Sequence, residues 1–286
     1  VGVFLIQRGG TDAIGALFGP LMLAWFATLA ITGGLSVAQT PEVLWALDPR
    51  FALGFVFAYP GLAFVAAGAV FLCVTGVEAL YADMGRFGPR PVRLTWFAIV
   101  LPALTLNYFG QGALVLRNPG AVHNPFFLLV PEEFVLPLTA ISIAAAVIAS
   151  LAVISGAFSA TQQASRMNFL PRLRVFQKSR TQKGRIYIPV VNWLMLLLVV
   201  FLMLEFGDSG SLAAAYGIAV AGDLLLASVL MLITLPRVKG SKALRWLWLP
   251  FALFALVEAA FFAANATKVV GGGWFPLALA LAAFTV

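Results

Sequence analysis

Long apolar runs, separated by short polar punctuation, fill the chain from one end to the other. Windows of roughly 20 apolar residues, the length a helix needs to cross a hydrocarbon layer, recur over 13–34, 61–83, 94–116, 134–160, 187–205, 210–235 and 246–267. An incomplete window begins at 273. The pattern predicts seven complete spans and one truncated span. Segment 35–60 carries Pro41, Glu42, Asp48, Pro49, Arg50 and Pro60, too much punctuation for a spanning helix, and is expected as an external loop with a short interfacial helix. Asn118 to Glu133, with Pro119, Pro125 and Pro131, reads the same way. No short-period repeat or low-complexity tract interrupts the pattern.

Composition gives the same answer. Of 286 residues, 62% are hydrophobic and 10% charged, with mean hydropathy +1.00, whereas a soluble domain carries about a quarter charged residues. A water-soluble core is excluded, and the expected class is an all-α membrane protein, a multi-pass helical bundle. Cys73 is the single cysteine and His123 the single histidine, so neither an internal disulfide nor a Cys/His metal cluster is expected, and no cofactor is assigned. The chain opens with Val1, its first apolar run is too short to span, and no charged leader or cleavage site precedes that run. It is expected to be a fragment that starts at the end of one helix and stops inside another.

The net charge of +7 acquires meaning only from where the charges fall. With loops assigned alternately to the two sides, one side receives Arg8, Arg86, Arg90, Arg93, Arg166, Arg172, Arg174, Lys178, Arg180, Lys183, Arg185, Arg237, Lys239, Lys242 and Arg245. The other side receives Arg50, Arg117 and Lys268. Lys and Arg near span ends are retained in the cytoplasm, so this asymmetry places the start of the chain on the cytoplasmic side and supports the span count. The basic stretch Arg166 to Arg185 has no acidic residue. It reads as topology and attraction to anionic headgroups rather than nucleic-acid binding.

Acidic residues inside spans are costly, about 2.5 to 3.5 kcal/mol each on insertion scales, and usually face a cavity or a partner. Glu78, Asp83, Asp223 and Glu258 are in this position. Asp83 stands beside Arg86, where the water interface is the alternative to a pathway role. For Glu258 a hydrogen bond to a neighbouring helix competes with transport, and for Asp223 packing competes with substrate contact. Glu78 is distinguished by its neighbours, Thr75-Gly76-Val77-Glu78-Ala79-Leu80-Tyr81. Glycine and a β-branched residue weaken a helix there, and unwinding frees carbonyls that a cation satisfies where lipid does not. With the helix resumed after Gly76, Thr75, Glu78 and Tyr81 or Ala82 fall near one face at three- and four-residue spacing. Close helix packing is the alternative use of Thr75-Gly76. Ala213 to Gly222, containing Tyr216, is a second candidate break or a packing seam. The amides of Asn107-Tyr108-Phe109-Gly110-Gln111-Gly112 are a third polar group, with helix bridging as one use.

At these residues the chain resembles a known family. The runs Val74 to Gly88 (VTGVEALYADMGRFG), Leu101 to Leu116 (LPALTLNYFGQGALVL), Ala149 to Ser159 (ASLAVISGAFS), Tyr187 to Trp193 (YIPVVNW), Leu212 to Gly222 (LAAAYGIAVAG) and Gly271 to Pro276 (GGGWFP) are similar to the Kup/HAK/KT potassium uptake transporters, in order and over essentially the whole chain. Gly15 to Pro20 also fits. The resemblance implies a LeuT-like (APC-type) inverted-repeat transporter of twelve helices, present here in part. On that frame residues 1–34 are the end of helix four and helix five, and 35–60 the external loop. Residues 61–235 are then helices six to ten, the second inverted repeat, and 236–286 helix eleven and part of helix twelve.

The resemblance further implies potassium uptake across a bacterial inner membrane, coupled to protons by alternating access. Potassium ions, protons and the bilayer are its partners, a homodimer is left open, and nucleic acid has no place. By resemblance Thr75 and Tyr216 are potassium ligands and Glu78 the ion- or proton-coupling acid, with Tyr81, Asp83 and Asp223 as further pathway residues. Hydroxyl and carbonyl oxygens suit a weakly hydrated cation, and a carboxylate taken out of water is suited to carrying a proton. The chain departs from the family at Ala221-Gly222-Asp223, where Thr-Gly-Thr is usual, at Arg86 for a common histidine, and at Glu258 for a common aspartate. An amino-acid transporter on the same fold is the nearest alternative. A membrane enzyme lacks a nucleophile beside a base or a phosphate cradle in this sequence, and a passive scaffold has no need of buried acids beside helix breaks.

Overall fold

The structure, a computed structural model, describes residues 2–7, 12–73, 75–76, 84, 88–171, 173–177, 186–237 and 246–285. In chain order the helices are α1 (Gly2–Ile6), α2 (Asp12–Gln39), α3 (Pro49–Ala58), α4 (Pro60–Cys73), α5 (Pro89–Thr95), α6 (Leu101–Arg117), α7 (Glu132–Arg166), α8 (Pro189–Phe206), α9 (Ser209–Thr234), α10 (Trp248–Ala266) and α11 (Trp274–Thr285). A 3₁₀ segment, Pro41–Leu47, joins α2 to α3. The wide turn Trp96–Val100 makes α5 and α6 continuous; it precedes Pro102, whose missing N–H interrupts the helical ladder.

Among the described residues six helices are long and apolar enough to cross a membrane: Leu17–Gln39, Pro89–Arg117, Glu132–Arg166, Pro189–Phe206, Ser209–Arg237 and Trp248–Ala266. The protein is an all-α, multi-pass membrane protein. Leu204, Phe57 and Leu136 are among many large apolar side chains left on the helix surfaces. In hydrocarbon such a surface is the solvated one, which is why the helices need no polar face.

Three details differ from the hydropathy pattern. The window 61–83 holds a described helix only over Pro60–Cys73, which stops before Thr75. The span expected at 13–34 runs on to Gln39, and two short helical segments rather than one follow it. In the basic loop, Phe176–Gln177 pairs antiparallel with Ile186–Tyr187, in the register Phe176 to Tyr187 and Gln177 to Ile186. That pairing places Tyr187 against Phe158, ring centroids 5.7 Å apart and edge to face, beside fully buried Ile188.

The chain packs as two units, Val1–Pro49 with Gly76–Leu197, and Arg50–Thr75 with Leu198–Val286. In the first, α2 and α6 approach backbone to backbone. A Cβ added at Gly33 would press on the Leu106 carbonyl and lie 2.6 Å from the Asn107 Cα, and one added at Gly110 would lie 2.5 Å from the Gly33 Cα. Without a hydrophobic force between helices in lipid, small residues at such a seam supply contact and polar groups supply the lock. The Ser36 hydroxyl donates to the Gly110 carbonyl at 2.8 Å. Arg117 donates to the Ser36 carbonyl at 3.3 Å and to the Thr40 hydroxyl at 2.9 Å, so the last turn of α6 clamps the last turn of α2. Asn107, at the same seam, accepts from Gln111 Nε2 at 2.7 Å, an amide pair within one helix.

Neighbouring glycines make this seam testable. Gly33→Ala must push α2 and α6 apart and is expected to destabilise by about 1–3 kcal/mol, the usual range for overpacking. Gly34, which has open space around it, accepts alanine with a gain of up to about 1 kcal/mol from helix propensity. Thermal midpoints of the two variants in detergent, moving in opposite directions, check the assignment.

Candidate functional site

The second unit holds the described part of the expected site. Helix α4 ends at Cys73, and Gly76 takes φ +110°, a left-handed conformation that favours glycine. The last carbonyls of a helix have no intrahelical donor, a cost that lipid cannot relieve. The Thr75 hydroxyl relieves part of it by donating to the Leu72 carbonyl at 2.8 Å. Thr75 is half-buried, and its hydroxyl oxygen keeps lone pairs for a further partner. The expected break thus lies where the described helix stops.

Helix α9 is continuous from Ser209 to Thr234. The alternative break at Ala213 to Gly222 is therefore corrected: these small residues form a packing seam, because their size lets other helices reach the α9 backbone while its hydrogen-bond ladder stays intact. Ala214, Ala215, Gly217, Ile218 and Ala221 are buried. Tyr216 and Asp223, two turns apart, lie on the exposed side of the helix, Tyr216 at 40% exposure. Asp208 begins α9 as an N-cap. Its carboxylate accepts from the Ser211 backbone N–H at 2.9 Å and from the Ser211 hydroxyl at 2.8 Å, and these bonds hold its pKa below the ordinary aspartate value.

Helix α10 closes against α4 and α9. Phe71 meets Phe261 at 5.2 Å between ring centroids, and Gly68 faces the Ala264 carbonyl and the Lys268 ammonium, which would lie 3.4 and 3.3 Å from an added Cβ. Asn265, 1% exposed, donates from Nδ2 to the Phe261 carbonyl at 2.9 Å. Its Oδ1 lies over Gly217, where an added Cβ would be 2.5 Å away, and Leu72 reaches the same point at 3.4 Å. Leu72, whose carbonyl Thr75 caps, thus meets α9 and α10 at Gly217, whereas Tyr216, the residue before it, turns to the exposed side of α9. After α10, Val269–Gly273 forms a wide turn in which Gly272, at φ +146°, packs on the Ser211 carbonyl. Glu258 has a buried Oε2 with no hydrogen-bond partner, so the structure does not place the hydrogen bond to a neighbouring helix on that atom.

Glu78, Tyr81 and Asp83 lie outside the described residues, as does Arg86. The structure therefore brings the elements carrying Thr75 and Tyr216 into one packed unit, with Asp223 on the Tyr216 side of α9. Asn265 carries no charge, so the cost of burying one does not mark it out; an uncharged amide inside an apolar run, followed three residues later by Lys268, is the sequence feature that corresponds to it.

Across residues 1–286 the chain matches the family described as the K+ potassium transporter integral membrane domain. The chain belongs to this family. It is similar to the "Probable potassium transport system protein Kup 2" of Dechloromonas aromatica, 51% identical over 291 residues, covering 100% of this chain and 46% of the relative. The "Low affinity potassium transport system protein Kup" of Pectobacterium carotovorum is 48% identical over 285 residues, covering 99% of this chain and 46% of the relative. The chain spans less than half the length of these curated relatives. No solved structure matches it. The family is one of transporters, which sets aside the membrane-enzyme alternative.

The Asp208 cap carries a pH signature of known sign. Because its folded-state pKa is lowered, its contribution is present above the unfolded aspartate value and is lost as pH falls through the lowered one. Hydrogen-exchange protection of the first turn of α9 is expected to drop on acidification below the ordinary aspartate range. In Asp208→Ala protection there is low at every pH, and the acid-dependent step disappears.

Proposed function

We propose that the protein takes up potassium across a bacterial inner membrane, as a K+/H+ symporter working by alternating access on a LeuT-like inverted repeat. One observation carries the reading: a potassium-transporter family match over the whole chain coincides with an apolar helix that ends before Thr75-Gly76. In that reading Thr75 and Tyr216 supply oxygens to K+. The C-terminal end of α4, with its negative dipole end and incompletely used carbonyls, adds favourable potential. Glu78 is the proton-coupling acid, and Tyr81, Asp83 and Asp223 belong to the route.

Hydroxyl and carbonyl oxygens hold K+ weakly enough for release, as transport requires. A carboxylate that alternates between a desolvated and a wetted setting exchanges its proton between the two, coupling proton movement to the ion step.

Restoring growth of a potassium-uptake-deficient bacterium on low potassium, with Rb+ flux in reconstituted vesicles, tests the reading on the full-length protein. Thr75→Val and Tyr216→Phe are each expected to raise KM for K+ by about tenfold, equivalent to about 1.4 kcal/mol of binding. Glu78→Gln is expected to abolish the pH dependence of uptake. Absence of K+ and Rb+ flux from well-folded wild-type protein, or uptake competed by an amino acid, overturns the proposal.

A further inference from the structure

Helix α7 leaves the apolar layer before it ends. It runs for 35 residues, against the roughly 20 that cross hydrocarbon, and its last stretch, Thr161-Gln162-Gln163-Ala164-Ser165-Arg166, is polar. A closed turn stops it there. Asn168 takes φ +63°, its N–H donates to the Ser165 carbonyl at 3.2 Å, and the Phe169 N–H donates to the Ala164 carbonyl at 3.0 Å. These are the two bonds of a Schellman motif. The Ser165 hydroxyl adds a bond to the Pro171 carbonyl at 3.1 Å.

The chain that follows sorts its side chains. Leu173 and Val175 pack on the cluster of Phe4, Ile154, Phe158, Tyr187 and Ile188, whereas Arg174 and Phe176 are exposed, the period-two alternation of an extended strand. Pairing of Phe176–Gln177 with Ile186–Tyr187 ties this strand to the start of α8.

The outward side combines groups that water does not favour together. Phe169 is 77% exposed, although the residue at that place in a Schellman motif commonly folds back on its helix. Phe176 is 54% exposed and Met167 60%. Arg166 and Arg174 are exposed among them, and no acidic residue occurs from Arg166 to Arg185. Aromatic rings and arginines at the edge of the apolar layer fit the boundary of an anionic leaflet, where rings enter the acyl region and guanidinium groups meet phosphate. Charge complementarity and this position select a lipid surface as the occupant.

We propose that the α7–α8 connection is a lipid-docking element, seated in an anionic leaflet through Phe169, Phe176 and Met167, with Arg166 and Arg174 on lipid phosphates. It goes beyond the charge of the loop, because the apolar groups are held in place by the turn and the strand pairing. Its inner side packs on Tyr187 and Ile188, so lipid composition acts on the packing of α8 against α7. The inference does not depend on which ion the protein moves.

The test uses the full-length protein with a nitroxide label at Phe169→Cys or Phe176→Cys, its other cysteines replaced by serine. The labelled protein is reconstituted in phosphatidylcholine vesicles, or in vesicles of equal parts phosphatidylcholine and phosphatidylglycerol. Relaxation by oxygen, which partitions into acyl chains, is compared with relaxation by a water-soluble nickel chelate. Both labels are expected to favour oxygen in the phosphatidylglycerol vesicles and to lose much of that preference in phosphatidylcholine alone. Arg166→Gln with Arg174→Gln is expected to shift both labels several-fold toward the chelate in the anionic vesicles, and high salt to act the same way.

Labels that meet the chelate equally in both vesicles overturn the inference. So do labels shielded from oxygen and chelate alike, the result for a face covered by protein, and oxygen preference indifferent to lipid charge and to both arginines. Should one labelled variant not fold, the other decides on the same readouts.

Discussion

A peptide group in hydrocarbon has no water to bond, so a spanning chain must satisfy its own backbone or find a substitute at every point where it does not. The rest of this structure follows from that constraint. It makes the apolar windows helical whatever their local propensities, and it leaves their surfaces apolar, with Leu204 and Phe57 exposed where a soluble protein would carry charge. It also makes every interruption informative. The wide turn at Trp96–Val100 accommodates Pro102, and the helix end after Cys73 is partly capped by the Thr75 hydroxyl.

A second consequence concerns how the helices are held together. Lipid tails are as apolar as leucine, so helices gain little by burying apolar faces and rely instead on close backbone approach and polar locks. The two units apply this differently. At Gly33 and Gly110 the α2–α6 seam is finished by Ser36 and Arg117, which bond across it. At Gly217 the α9–α10 seam is equally tight, yet the polar group brought to it, Asn265, is bonded only within its own helix. Two seams built from the same small residues thus differ in whether side chains bond across them.

The chemistry of the site follows the same logic. The described oxygens at the end of α4 are the Thr75 hydroxyl and the helix's last carbonyls, one of which, that of Leu72, accepts from Thr75. Asp208 stabilises the start of α9 at neutral pH through its bonds to Ser211, and Gly272 packs on the Ser211 carbonyl, so the first turn of α9 is held from two sides.

What the sequence by itself determined is the membrane class, the positions of most spans, the family, and the helix end at Thr75-Gly76. Each of these depends on local properties: run length, charge near span ends, motif order, and the weak helix propensity of a Thr-Gly pair. Glu78 was legible as a costly carboxylate for the same reason, although its surroundings lie outside the described residues. Tertiary structure alone decided that Ala213 to Gly222 is an unbroken packed helix, because a run of small residues permits either outcome until a neighbouring helix is seen to fill the space. It alone singled out Asn265, since an amide in an apolar run is ordinary until both of its ends are accounted for. Partners separated by many residues, as Leu72, Gly217 and Asn265 are, meet only through packing, and no local pattern in the chain encodes that they do.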